Sequence, residues 1–423
     1  MTDTQTNWAG NTRYSAARWH WPETIEQVQA LVRGSRKLRG LGSRHSFNTI
    51  ADTPEDMLSL ERFPEQVVVD RARQTVTANA GLRYGRLGQL LEREGYALHN
   101  MASLPHISIA GACATATHGS GDRNGNLATA VRALELVTAD GEVVTLSREQ
   151  QPEHFDGVVV GLGALGVVTR LTLDISPSFD MRQEVYENLP LAQLEAHFDE
   201  ITGSAYSVSL FTDWRGANFN QVWLKRRLTA ASDYEPSAQF FGATAATRRL
   251  HPIGELSAES CTEQLGQRGP WHERLPHFRM DFTPSAGEEL QAEYFLPRAN
   301  ALAGMHAIFQ LQPQLSKLLM ISEIRTIAAD SLWMSPCYQQ DCVALHFTWQ
   351  RDWPAVRELL PVIEARLAPL GARPHWGKLF TLSPAQVQAG YPRLAGFQNL
   401  LGQYDPGGKF RNAFVDRYIF GQG

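Results

Sequence analysis

Cysteine is scarce in this chain: four residues in 423, at Cys113, Cys261, Cys337 and Cys342. None has CxxC spacing, so neither a disulfide framework nor a metal site is expected, and a reducing compartment fits. A basic excess is also missing. Lys and Arg number 39 against 44 Asp and Glu, a formal net charge of −5, which excludes the electrostatic footprint of a nucleic-acid binder. No apolar run reaches the about 18 residues of a membrane span, and Met1 to Trp8 lacks the basic and apolar regions of a secretory leader. The expectation is a cytoplasmic, unanchored monomer whose partners are small molecules, with no nucleic acid and no membrane. What remains is ordinary globular composition, 43% hydrophobic and 20% charged, over a length that suggests about two to three domains.

Periodicity supplies the elements. Ile25, Val28, Leu31 and Val32 form a helical stripe after Pro22, and Leu38 to Leu41 reads as a short strand leading into a glycine loop. Val67 to Asp70 and Thr75 to Ala78 read as strands, and Tyr84, Leu87, Leu90 and Leu91 as a helix. Asp140-Gly141 signals a two-residue hairpin between Leu134/Leu136 and Val143/Val144. Val167 to Leu173 alternates as a strand, and the turn chemistry of Ile175 to Ser178 marks a domain boundary. Beyond it, Tyr206 to Phe211, Gln291 to Leu296 and Val343 to Trp349 read as strands, and Ala299 to Leu311 and Trp353 to Leu367 as helices. The basic run Lys225-Arg226-Arg227 reads as a solvated face. Asp405 to Phe410, rich in glycine, is a turn able to return the tail to the first domain. The class is α+β.

The loop Gly40-Leu41-Gly42-Ser43-Arg44-His45-Ser46 is the most informative segment. Its backbone can wrap a phosphate while His45 presents a nucleophilic nitrogen. Taken alone, His45 is more often a polar loop residue than a covalent ligand. A second small-residue run, Asn100 to Gly121, contains Ser103, Ser108 and Thr117, which can donate hydrogen bonds to a diphosphate. Two such loops about 60 residues apart favour a cofactor held by its phosphates. Gly161 to Gly166 matches GxGxxG, but the following residues alternate as a strand instead of opening a helix. A nicotinamide Rossmann site is therefore rejected, and the glycines are read as allowing close backbone approach.

Glu323 with Arg325 and His346 with Thr348 each sit at i, i+2 on strand-like runs, so each pair shares a face. Four polar residues facing one way need a polar partner, although a structural Glu323–Arg325 ion pair explains part of the pattern equally well. Lys378, in Pro374 to Lys378, reads on its own as a surface lysine.

The ordered motifs GSRHSFN, NMASLPHISIAG, THGSG, VSLFTDWR, CTEQ, GPWHERLPHFR, SEIRT, HFTW, RPHWGK and DPGGKF resemble those of the alditol oxidases, which are FAD flavoproteins of the vanillyl-alcohol oxidase type. The resemblance runs from Thr6 to Phe414. It implies a two-domain FAD-binding fold with a cap: an FAD-binding domain at 1–177, a substrate (cap) domain at 178–374, and a C-terminal segment, 375–423, returning to the FAD domain. It further implies covalent FAD through His45, with Gly40, Leu41, Gly42, Ser43, Arg44 and Ser46 around the pyrophosphate. Ser103, Ser108, Gly111, Ala112, Cys113, Ala114, His118, Val167 and Val168 would also line FAD.

By the same resemblance, Ser103, Glu323, Arg325, Thr348 and Lys378 contact the hydroxyls of a polyol, and His346 stands beside the reacting carbon. The expected reaction is oxidation of a terminal hydroxyl by hydride transfer to the flavin, with His346 accepting the proton, Arg325 and Lys378 holding the hydroxyl, and O2 reduced to H2O2. Ala102, small and next to Ser103, would leave an approach open to oxygen. Arg44 departs from the glycine common in related enzymes. The rivals are an aldonolactone oxidase or dehydrogenase of the same superfamily, and a flavin-binding protein without turnover.

Overall fold

The structure, a computed structural model, describes residues 5–229, 236–282 and 289–422; Met1 to Thr4, half of the stretch read for a leader, lie outside the described residues. Thr24 caps the first helix, Ile25–Gly34, its hydroxyl accepting from the Gln27 N–H, and Val28 and Val32 bury the inner stripe. The next strand, Leu38–Leu41, pairs in parallel with Asp56–Ser59 and carries the chain directly into the glycine loop.

Five antiparallel strands form a second sheet, in the order Val67–Asp70, Thr75–Asn79, Val167–Asp174, Val131–Val137 and Val143–Ser147. Gly161 to Gly166 runs straight into Val167–Asp174 with no helix between, as the alternation requires. Gly166, at φ 157°, lies so close to the neighbouring strand that a Cβ there would come within 2.6 Å of the Val137 carbonyl oxygen. The hairpin at Asp140-Gly141 is wider than the two residues expected. Thr138 and Glu142 close it by a 2.9 Å backbone bond, and Gly141 takes the left-handed position at φ 83°.

The third sheet is larger. Its middle strands run antiparallel in the order Asp180–Pro190, Asn218–Arg227, Ser207–Thr212, Leu319–Ile327, Cys342–Gln350 and Glu289–Pro297. On one face Leu290, Ala292, Tyr294, Ile324, Leu345 and Phe347 pack in one buried cluster with Met305, Ile308, Val356, Leu360 and Ile363 of the helices Ala301–Phe309 and Trp353–Leu367. The alternate residues of the same strands are thereby committed to the opposite face.

Lys225 corrects the reading of Lys225-Arg226-Arg227 as a solvated face. The strand Asn218–Arg227 is paired on both sides, with Lys225 opposite Gln183 and Ser207, and the pleat turns Lys225 inward, leaving it 1% exposed. Arg226 is half-buried and Arg227 exposed.

The tail returns to the five-stranded sheet. Trp376, Phe397, Leu400, Phe410, Phe414 and Val415 share a buried cluster with Leu134 and Leu171. Burial of each such side chain stabilises the fold by about 1.5–3 kcal/mol, ample to hold the segment there. Asp405 fastens its glycine turn by accepting from the Lys409 and Phe410 N–H groups at 2.7 Å, and Leu38 donates to Lys409 O at 3.0 Å. Among the described residues no helix is long and apolar enough to cross a membrane.

Candidate active site

One cavity of about 480 Å³ lies between the glycine loop and the polar face of the large sheet, within the range of small-molecule and cofactor sites. Its first wall is built from the two small-residue loops, laced together reciprocally: the Ser43 N–H donates to Ser108 Oγ at 3.2 Å, and the Ser108 N–H donates to Ser43 Oγ at 2.9 Å. Gly42 and Gly111 lie on either side of this lacing. A Cβ on Gly42 would collide with Ser108 Oγ, and one on Gly111 would come within 2.8 Å of the same atom, so the lacing through Ser108 requires that both lack side chains. The close-packed backbone cradle that a diphosphate requires is therefore present, and the donor set fits FAD.

His45 sits at the end of the loop, half-buried and lining the cavity. Its ring stacks on Trp8 with centroids 5.4 Å apart, and its Nδ1 lies 3.0 Å from Ser43 Oγ. Burial pushes its pKa down to about 3, so the imidazole is neutral and keeps a lone pair at physiological pH. Arg44 has φ 65°, the left-handed region, which explains why glycine is the cheaper residue there. The loop is tied to the far wall. Asn48 donates to Trp376 O at 2.8 Å and to Lys378 O at 2.7 Å, and the Phe47 N–H donates to Gly377 O at 2.7 Å.

The second wall follows from register. Glu293 and Glu323 both stand opposite His346 on the strands flanking Cys342–Gln350, and Gln291 stands opposite Thr348. Alternation then brings Gln291, Glu293, Glu323, Arg325, His346 and Thr348 to the same cavity. The segment after Arg373–Pro374 continues along the edge, His375 donating to Glu293 O and Leu379 to Gln291 O, which places Lys378 against this face. Lys378 Nζ donates to Gln291 Oε1 at 2.5 Å and lies 3.2 Å from His346 Nδ1.

Glu293, which the motif reading missed, is the electrostatic centre. It is 1% exposed, accepts from Arg325 Nη2 at 2.8 Å, and lies 3.1 Å from His118 Nε2, 3.5 Å from His346 Nδ1 and 3.6 Å from Lys378 Nζ. Burial would raise its carboxyl, but His118, Arg325, Lys378 and His346 together hold it well below the usual carboxylate range. The available signal was Gln291 and Glu293 at i, i+2 on a run already read as a strand.

The Glu323–Arg325 pair is loose, at 3.5 Å, because Arg325 turns mainly to Glu293. Arg325 Nη1 also reaches Ser103 Oγ at 3.3 Å, while its Nε is buried without a hydrogen-bond partner. Burial, with Lys378 close by, lowers His346 to about 4, and burial lowers Lys378 to about 8. At neutral pH the site thus offers a neutral imidazole flanked by an ammonium and a guanidinium.

Of the residues expected around FAD, Gly40 to Ser46, Ser103, Ser108, Gly111, Ala112, Ala114 and His118 line this cavity. Three do not. Cys113 points into the core, its thiol 3.3 Å from the Tyr84 hydroxyl, and Val167 and Val168 are paired within the five-stranded sheet opposite Val137 and Leu136. His118 faces the polar wall through Glu293.

An FAD-binding domain model matches residues 16–147, and a D-arabinono-1,4-lactone oxidase model matches residues 287–418. The fold is shared with cholesterol oxidase from B. sterolicum: TM-score 0.78 at 16% identity, over 98% of this chain and 96% of that one. Cradle, fold and family models together define an FAD-dependent oxidoreductase of the vanillyl-alcohol oxidase type. The chain is 48% identical to an alditol oxidase of a Streptomyces species over 98% of its own length and 99% of the relative's. It is 29% identical to the L-gulono-1,4-lactone dehydrogenase of Mycobacterium tuberculosis, over 93% of this chain and 92% of that one. Identity to the L-gulonolactone oxidase of Mus musculus is 24%, over 98% of each. The chain belongs to the alditol oxidase family.

Proposed function

We propose that this enzyme oxidises the terminal hydroxyl of alditols such as xylitol and D-sorbitol to the aldose, with O2 reduced to H2O2. The observation that carries this reading is the polar wall. Glu323, Arg325, His346, Thr348, Lys378 and Gln291 line one cavity together with the cofactor cradle. A substrate made of hydroxyls alone can satisfy so dense a set of buried donors and acceptors.

Gly40–Ser46 and the Ser108–Ala114 segment would hold FAD, which when bound would supply the two-electron acceptor for the alcohol C–H bond. The chain's own residues do the rest. Arg325 and Lys378 hold the terminal hydroxyl, Ser103, Glu323 and Thr348 engage the hydroxyls beyond it, and His346, neutral above about pH 4, takes the hydroxyl proton. The two cations also stabilise negative charge developing in the cavity. Small Ala102, which lines the cavity beside Ser103, leaves an approach for oxygen. A cytoplasmic location agrees with the four cysteines, all free.

Peroxide release is to be measured with a panel of xylitol, D-sorbitol, mannitol and glycerol against aldonolactones. Turnover of alditols and none of lactones is expected; the opposite pattern would assign the enzyme to its lactone-oxidising relatives, and absence of anaerobic bleaching by any of them would make it a passive flavin binder.

His45 is the residue we assign to covalent attachment of the flavin, through its 8α carbon. The His45→Ala variant is expected to release all its flavin on acid precipitation, whereas the wild-type pellet stays yellow. A yellow His45→Ala pellet would remove the assignment.

A further inference from the structure

Beside Glu323, a chain of polar groups runs from His277, which itself lines the cavity, into the core. Lys225 is 1% exposed, and its Nζ meets three partners: Leu275 O at 2.6 Å, Pro276 O at 2.8 Å and His277 Nδ1 at 3.0 Å. On the other side of the ring, His277 Nε2 lies 2.7 Å from Glu323 Oε1. The imidazole is wedged among Phe211 and Trp223, with ring centroids 5.7 and 5.1 Å away, so packing sets its plane. Thr262 secures its segment by donating to Pro276 O through its hydroxyl and to His277 O through its N–H. The His277 and Phe278 N–H groups in turn donate to Ser103 O, at 3.0 and 3.2 Å. The same short segment thus touches two residues assigned to the substrate.

The hydrogen bonds constrain where the protons sit. Two carbonyls can only accept, so they occupy two N–H bonds of Lys225. Burial would raise Glu323, but Arg325 and His277 hold its carboxyl well below the usual range, so Glu323 is an acceptor and needs an Nε2–H opposite it. Burial, reinforced by Lys225, keeps His277 neutral, with a pKa near 4, so its Nδ1 is bare and takes the third N–H of an ammonium. Burial lowers the Lys225 pKa well below the usual lysine range, with Glu323 opposing it; with His277 neutral and Glu323 ionised, an ammonium at Lys225 is the form that gives every contact a donor and an acceptor. Among the described residues no hydrogen bond is made to Glu323 Oε2, although the side chain lines the cavity.

We propose that Lys225 and His277 are positioning residues for Glu323. Lys225 locks His277 in its Nε2–H tautomer, His277 holds Glu323 Oε1, and Oε2 is thereby aimed into the cavity to accept a substrate hydroxyl. This rests on the reading that Glu323 contacts the substrate, and the tests separate the two. No bond is made or broken by the relay; it acts on binding of the polyol.

Three variants are assayed as flavin-loaded enzymes with xylitol. Glu323→Gln and His277→Leu are each expected to raise KM by about tenfold or more with a much smaller change in kcat. His277→Gln is expected to keep KM near the wild-type value, because its amide oxygen accepts from Lys225 and its amide N–H donates to Glu323. Histidine-selective 15N NMR of the wild-type holoenzyme, with His277 assigned by its loss in His277→Gln, is expected to show a bare Nδ1 and a protonated Nε2. An unchanged KM in Glu323→Gln overturns the substrate role of Glu323. A raised KM in Glu323→Gln with an unchanged KM in His277→Leu, equal defects in His277→Leu and His277→Gln, or an Nδ1–H signal each overturns the relay.

Discussion

Lys378→Ala is expected to slow the anaerobic bleaching of the enzyme's flavin by xylitol by about 10²–10³-fold, the usual cost of removing one preorganised charged donor from a reacting centre. Lys378 donates to Gln291, lies beside His346 Nδ1, and is fixed from below by the loop that carries His45. Its deletion removes a cation without disturbing the sheet. The pH dependence has a definite sign. Burial lowers the Lys378 pKa to about 8, so the ammonium is present below that value and lost above it. In the wild type, kcat/KM should therefore fall as pH rises through about 8; on the acid side it should fall as His346 becomes protonated toward about pH 4. Stopped-flow traces measure both. A near wild-type rate in Lys378→Ala would remove this residue from the chemistry.

The second large effect belongs to Glu293. Glu293→Leu leaves Arg325 and His118 buried without their carboxylate, and removal of one partner from such a buried pair costs about 3–5 kcal/mol. A drop in Tm of roughly 3–6 °C is expected by calorimetry of the holoenzyme. Glu293→Gln keeps the volume but not the charge. Because Glu293 raises the pKa of both Lys378 and His346, the alkaline limb of the kcat/KM profile should move to lower pH in this variant. An alkaline limb at the wild-type position, with full thermal stability in Glu293→Leu, would show that Glu293 does not organise the wall.

Much of this was legible in one dimension. The helix Ile25–Gly34, the strands Val67–Asp70 and Thr75–Asn79, and the helix Trp353–Leu367 follow from local periodicity. Rejection of a Rossmann site at Gly161 to Gly166 needed only the alternation of the next seven residues. Glu323 with Arg325 and His346 with Thr348 were visible as pairs because a strand repeats every two residues. Their meeting was not visible. It depends on the register that sets Glu293, His346 and Glu323 side by side on strands about 20 to 50 residues apart in sequence. The same limit explains Lys225. A run of three basic residues has the composition of a surface, and only pairing on both edges turns the first of them inward, where two carbonyls and His277 satisfy it.

The sequence by itself determined the class of the fold, the glycine loop that ends on His45, and the membership of an oxidase family, because these reside in short contiguous motifs whose backbone demands are local. Tertiary structure alone decided that Glu293 is the common counter-ion, that Lys225 is buried against His277, the neighbour of Glu323, and that Cys113, Val167 and Val168 do not line the cavity. The physical reason is that a charge's partner and a side chain's face are set by strand register and burial, and these join residues that the chain itself keeps far apart.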